Sequence, residues 1–135
     1  RVKNNGVDYE NCLAIDIREY IYDMPTVLTA ADVVIGRAGS ATCNEIAASG
    51  TPCILVPSPN VTNNHQEKNA RVLESGGGAV VLLEKDCTAE TLYGLIRQLL
   101  ADETRRAQMS RKLHAQLRPD STDRICAIVE EITGR

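Results

Sequence analysis

Apolar runs of strand length alternate with stretches of helical spacing, and this alternation constrains the fold more than any single residue does. Asp32–Ile35, Cys53–Val56 and Ala79–Leu83 read as strands, and Cys12–Ile17 reads as a further strand ahead of them. Tyr22–Ala31, Thr42–Ser49 and the segment from Asn63–Asn64 to Ser75 read as helices. Leu92, Leu95, Ile96, Leu99 and Leu100 fall on one helical stripe, and Ile125, Ile128, Val129 and Ile132 fall on another. Pro25 suits a first helical turn, Gly50 a left-handed helix end, and Gly76–Gly78 a helix stop. Continuous apolar strands joined by helices require a parallel sheet buried on both faces. The predicted class is α/β, a parallel sheet with helices on both faces, with residues 1–135 in one domain.

Composition removes several functional classes. The chain has 135 residues, 43% hydrophobic and 24% charged, which are ordinary globular values. Its 15 Lys and Arg against 18 Asp and Glu give a net charge of −3, unsuited to neutralising phosphate backbones. With no Trp, no Phe and four Tyr, it has little to stack bases on, so no nucleic-acid partner is expected. No run approaches the roughly 20 apolar residues of a bilayer crossing. Residue 1 is Arg rather than Met and no signal peptide is apparent, so a piece of a longer protein is expected. Cys12, Cys43, Cys53, Cys87 and Cys126 lack metal-site spacing and read as reduced, structural, cytosolic thiols. His65 and His114 also lack ligand spacing, and no metal or cofactor is expected.

Ligands of parallel sheets bind beyond the carboxyl ends of the strands. That rule selects the loops Glu19–Met24, Gly36–Thr42 and Pro57–Gln66. Gly36-Arg37-Ala38-Gly39-Ser40-Ala41-Thr42 lies between a strand and a helix, where free amides attract an anion; the same pattern also makes a plain turn. It matches neither the dinucleotide nor the P-loop fingerprint. Glu45 stands three residues after Thr42, the spacing of a capping box, but its two acceptor oxygens also suit a ribose diol. Asn64 and Glu67 fit a second capping box. His65 and Gln66 are left as first-turn residues with directional donors and acceptors for sugar hydroxyls. Arg105, Arg106, Arg111, Lys112 and Arg118 read as a solvated helix face, or as a contact for anionic headgroups. No nucleophile or metalloprotease motif appears, so binding chemistry is more evident than bond-breaking chemistry.

Several segments together carry a more specific signal. They are Glu19–Met24, Ala31–Ile35, Arg37–Glu45 and Pro57–Ala70, the last reading Pro-Ser-Pro-Asn-Val-Thr-Asn-Asn-His-Gln-Glu-Lys-Asn-Ala. Over Asp8 to Ile132 the chain resembles the donor-binding half of the MurG family. These inverting glycosyltransferases add N-acetylglucosamine to undecaprenyl-diphospho-muramyl-pentapeptide (lipid I to lipid II) in peptidoglycan synthesis. The resemblance implies a Rossmann-like sheet, the C-terminal domain of the two-domain GT-B architecture, binding UDP-N-acetylglucosamine. It implies that the Ile21 backbone holds the uracil edge with Tyr20 on the ring. Gly39, Ser40, Ala41, Thr42, Cys43, Asn44 and Glu45 line the nucleotide, with Ser40, Ala41 and Thr42 at the diphosphate and Glu45 on the ribose. Gln66 takes hydroxyls of the sugar and His65 adds a polar contact. Arg37 either neutralises phosphate or braces the turn.

The resemblance also implies partners outside this chain. A lipid-linked acceptor binds through an N-terminal domain that is absent here, and the whole enzyme sits peripherally on the cytoplasmic face of the cell membrane. The family's opening strand and glycine turn have no counterpart before Cys12, and the general base belongs to the absent domain. The expectation is that no catalytic residue lies in this chain and that alone it transfers no sugar. The leaving diphosphate is stabilised by helix-start amides, without metal or cofactor. The alternative is a non-catalytic nucleotide-sugar-binding subunit of a split two-chain transferase, which carries a similar Asn-Asn-His-Gln segment. A related UDP-sugar epimerase has no motif of its own here.

Overall fold

The computed structural model describes residues 14–117 and 120–134. Its elements in chain order are α1 (Met24–Ala30), β1 (Val34–Gly36), α2 (Ser40–Ser49), β2 (Cys53–Leu55), α3 (His65–Ser75), β3 (Ala79–Val81), α4 (Ala89–Ala101), α5 (Glu103–Gln116) and α6 (Ser121–Thr133). Short 3₁₀ turns at Thr62–Asn64 and Glu84–Asp86 precede α3 and follow β3. The strands form a parallel sheet in the order β1-β2-β3, with Ile54 in register with Ile35 on one side and Val80 on the other.

The central strand sorts the core. Successive side chains of a strand point to opposite faces. Cys53 and Leu55 join Ile46 of α2 and Ala70 and Leu73 of α3 in one cluster. Ile54 faces the other way, onto Leu99, Leu95 and Leu92 of α4. Helix α5 contributes to both clusters, Met109 to the second and Leu113, one turn on, to the first. Its seat depends on glycines. A Cβ on Gly78 would stand 2.5 Å from Leu113 Cδ2, and one on Gly50 2.1 Å from His114 Nε2. Gly77, at φ 78°, closes α3 in a left-handed turn. Its N–H donates to the Glu74 carbonyl at 2.7 Å and that of Gly78 to the Leu73 carbonyl at 2.9 Å, the paired bonds of a Schellman ending.

The predicted α/β class and the two helical layers stand, with differences at the margins. Ala14–Ile17 forms no strand among the described residues, where nothing pairs with it, and Ile15 and Ile17 are exposed. Cys12 and Leu13 lie outside the described residues. Each remaining strand is shorter than its apolar run, because ladder pairing covers only three positions in each. Leu100 is exposed at the end of the α4 stripe, and the α6 stripe of Ile125, Ile128, Val129 and Ile132 is exposed throughout. Among the described residues no helix is long and apolar enough to cross a membrane.

Candidate functional site

The turn after β1 leads directly into α2. Gly39 takes the N-cap position at φ −64° and ψ 152°, a conformation open to any residue. A Cβ there would meet nothing closer than Thr42 Oγ1 at 3.8 Å. Neither backbone nor space demands glycine. Its effect is to leave the helix start without a capping side chain. The Cys43 N–H makes the first helical bond, to the Gly39 carbonyl at 2.9 Å. The amides of Ser40, Ala41 and Thr42 therefore precede the helical ladder, at the positive end of a ten-residue helix.

This start corrects the expected capping box at Thr42 and Glu45. The helix begins two residues before Thr42, so Glu45 lies in its second turn and cannot reach back to the cap. Glu45 instead lines a cavity of about 190 Å³ with Pro25, Leu28 and Thr29 of α1. Ser40 and Asn44 line a separate cavity of about 210 Å³ with Asn69 and Val72 of α3. Cys43 is buried in the core; burial pushes its thiol pKa up, and its N–H is committed to Gly39.

The segment entering α1 carries the other nucleotide-side residues. Tyr20 is exposed and meets Tyr22 edge-on, with ring centroids 4.8 Å apart at 66°. Ile21 is half-buried. Asp23 caps α1 by accepting the Thr26 N–H at 3.4 Å. The buried Thr51 hydroxyl donates to the Leu28 carbonyl at 2.6 Å, pinning α1 beside α2.

Helix α3 opens in an unusual way. Asn63 and Asn64 both have positive φ, 54° and 51°, which asparagine tolerates better than most residues. An N-cap normally takes extended backbone to aim its oxygen at the helix amides. Left-handed Asn64 makes no such bond, and the expected second capping box is replaced by Asn64 Nδ2 donating to Glu67 Oε2 at 2.7 Å. That bond, with Arg71 adding to it, holds the Glu67 carboxyl below its ordinary pKa. His65 Nδ1 lies 2.7 Å from the Thr62 carbonyl, which can only accept, so Nδ1 carries a proton and Nε2 accepts in the neutral ring.

Gln66 Oε1 accepts the Ser58 N–H at 2.9 Å. Ser58 stands between Pro57 and Pro59, which have no N–H, so it supplies the only amide of that tripeptide. With its oxygen engaged, Gln66 keeps the two Nε2 donors uncommitted among the described residues. Asn69 Nδ2 donates to the Ala38 carbonyl at 3.1 Å, tying α3 to the turn before α2. Arg37 Nη1 donates to the Val56 carbonyl at 3.1 Å and pairs with the Glu84 carboxylate. Arg37 thus spans the carboxyl ends of all three strands.

Ser58 and Asn69 fall in the Pro57–Ala70 segment but received no role of their own from the sequence, and Glu84 lay outside every selected segment; only the packing shows their partners. Arg106, from the basic stretch, donates to the Leu99 and Leu100 carbonyls at 2.7 and 2.6 Å and caps the end of α4. Arg118 lies outside the described residues. No cluster of metal-ligating side chains occurs among the described residues.

Comparison with known proteins identifies the family of the chain. The glycosyltransferase family 28 C-terminal domain matches residues 1–125. A UDP-N-acetylglucosamine--N-acetylmuramyl-(pentapeptide) pyrophosphoryl-undecaprenol N-acetylglucosamine transferase of Acetivibrio thermocellus is 45% identical over 118 residues, 87% of this chain and 32% of the relative. The transferase of the same description from a Thermoanaerobacter species is 41% identical over 133 residues, 98% of this chain and 36% of the relative. The chain thus spans about a third of the length of these curated relatives. The crystal structure of Acinetobacter baumannii MurG superposes with a TM-score of 0.77 at 28% identity, covering 83% of this chain and 32% of that one. That superposition agrees with the expected GT-B C-terminal architecture. This chain belongs to the glycosyltransferase family 28 C-terminal domain family.

Proposed function

We propose that this chain is the donor-binding domain of an inverting N-acetylglucosaminyltransferase acting on undecaprenyl-diphospho-muramyl-pentapeptide. The observation that carries the reading is the uncapped start of α2, with Gln66 holding its amide donors free on α3, one turn before the Asn69 that ties α3 to the turn ahead of α2. In this reading the amides of Ser40, Ala41 and Thr42 bind the diphosphate of UDP-N-acetylglucosamine. Glu45, on the α1 side, accepts from the ribose hydroxyls, and the Tyr20–Ile21 segment ahead of α1 takes the uracil. Gln66 donates to oxygens of the sugar and His65 offers Nε2 as an acceptor.

Chemically, an acceptor hydroxyl attacks the anomeric carbon as UDP departs, inverting that centre. Negative charge grows on the diphosphate oxygen that leaves. Amides fixed at a helix start stabilise that charge without reorganising, and the helix dipole adds to them. The acceptor and the general base come from an upstream domain, and the assembled enzyme works peripherally on the cytoplasmic face of the cell membrane. The curated relatives named above are each described as the transferase itself, which favours this reading over a non-catalytic subunit.

Calorimetric titration of the full-length protein tests the reading. Binding of UDP-N-acetylglucosamine in preference to its galacto epimer is expected. Gly39→Asp places a capping carboxylate over the same amides. It is expected to leave thermal stability unchanged or raised by a few tenths of a kcal/mol while lowering donor affinity at least about tenfold. A wild-type protein with no affinity for UDP or its sugars overturns the proposal.

A further inference from the structure

Among the described residues Arg37 is anchored through one nitrogen only. Both recorded bonds, to the Val56 carbonyl and to the Glu84 carboxylate, use Nη1. A guanidinium carries five N–H donors in a planar fork, and the edge formed by Nε and Nη2 suits the paired oxygens of a phosphate. Among the described residues that edge has no partner. Arg37 lies three residues ahead of Ser40, the first residue of α2. Glu84 lies 47 residues away, in the 3₁₀ turn after β3.

We infer that Glu84 is a positioning residue for Arg37, holding Nη1 so that the Nε–Nη2 edge is presented to the diphosphate bound at the start of α2. The inference rests on the donor-binding reading above. Two roles for Glu84 predict opposite signs. As an anion near the site it repels a diphosphate, so removing its charge tightens binding. As a positioning group it supports the bond between Arg37 and phosphate, so removing it weakens binding. The geometry favours the second: a flexible side chain with one nitrogen fixed by both a carbonyl and a carboxylate loses less freedom when its other edge binds.

The test uses the full-length protein, with UDP and uridine as probes in parallel titrations. Glu84→Ala is expected to weaken UDP binding about fivefold and leave uridine unchanged, because only the phosphate contact depends on Arg37. Glu84→Gln keeps an oxygen that accepts from Nη1 and is expected to restore UDP affinity to within about twofold of wild type. Arg37→Ala and the Arg37→Ala/Glu84→Ala double variant are expected to bind UDP equally, since the two residues act through one bond. Wild-type or tighter UDP binding by Glu84→Ala overturns the inference, as does an additive double variant. Equal losses for UDP and uridine also overturn it, marking a general effect on the fold. Wild-type protein that binds neither probe overturns the donor-site reading itself, and this inference with it.

Discussion

Gln66 accepts the backbone N–H of Ser58 on its side-chain oxygen, at 2.9 Å, and so keeps both Nε2 donors for a ligand. The two prolines beside Ser58 make that amide the one such donor in their tripeptide. The orientation of the glutamine amide is therefore set by the chain leaving β2, not by the helix that carries it.

From this follows a division between ligands. Gln66→Ala is expected to lower affinity for UDP-N-acetylglucosamine by about 1–2 kcal/mol and to leave affinity for UDP within about 0.5 kcal/mol. Isothermal titration with both ligands measures the split. Equal losses would mean that Gln66 shapes the Pro57–Asn60 loop and contacts no sugar.

Glu45 is separable from helix stability, because α2 begins at Ser40 and needs no cap from it. Glu45→Ala is expected to keep folding stability within about 0.5 kcal/mol of wild type and to weaken donor binding by about 1–2 kcal/mol. A thermal melt beside a donor titration checks both. A stability loss near the ~1 kcal/mol of a missing cap, with donor affinity intact, would return Glu45 to a capping role.

Two glycines should respond oppositely to alanine. A Cβ on Gly78 meets Leu113 Cδ2 at 2.5 Å, whereas one on Gly94, within α4, meets nothing within 4 Å. Gly78→Ala is expected to destabilise by about 1–3 kcal/mol by pushing α5 away. Gly94→Ala is expected to stabilise by roughly 0.5–1 kcal/mol, since helical glycine costs backbone entropy. Urea denaturation of the two variants measures the contrast.

The cysteines should divide by burial. Burial, and secondarily the neighbouring Cys43, pushes the Cys53 thiol up to about 12, and burial also raises Cys43. Cys126 is exposed. Alkylation of the native protein at mildly alkaline pH is expected to modify Cys126 and spare Cys43 and Cys53, read by peptide mass spectrometry. A thiol raised in the folded state holds its proton where the unfolded chain has lost it. Stability from Cys53 is therefore intact below the ordinary thiol pKa and is lost as pH rises from about 9 toward 12. Denaturation midpoints across that range should fall, and should fall less in Cys53→Ala.

Much of the fold was readable from local pattern. Apolar runs located the three strands, and helical spacing located α4, although pairing trims each strand to three residues. Gly50, with φ 68° at the end of α2, was readable from its place after the helical run. The Thr42–Glu45 capping box misplaced the start of α2, whereas the Asn64–Glu67 box named the cap of α3 but not its bonds, because a cap's bonds follow backbone conformation and not spacing. Gly39 caps α2 in place of Thr42, and left-handed Asn64 caps α3 without a side-chain bond to a helix amide. The ties Gln66 to Ser58, Asn69 to Ala38 and Arg37 to Glu84 cross 8, 31 and 47 residues. No periodicity encodes them, since they exist only once strands and helices are packed.

Helix α5 carries a last consequence. Because Met109 and Leu113 enter different cores one turn apart, α5 couples the two faces of the sheet. The two layers are therefore expected to unfold in one cooperative transition, so that a substitution under α2 and one under α4 shift the same unfolding curve.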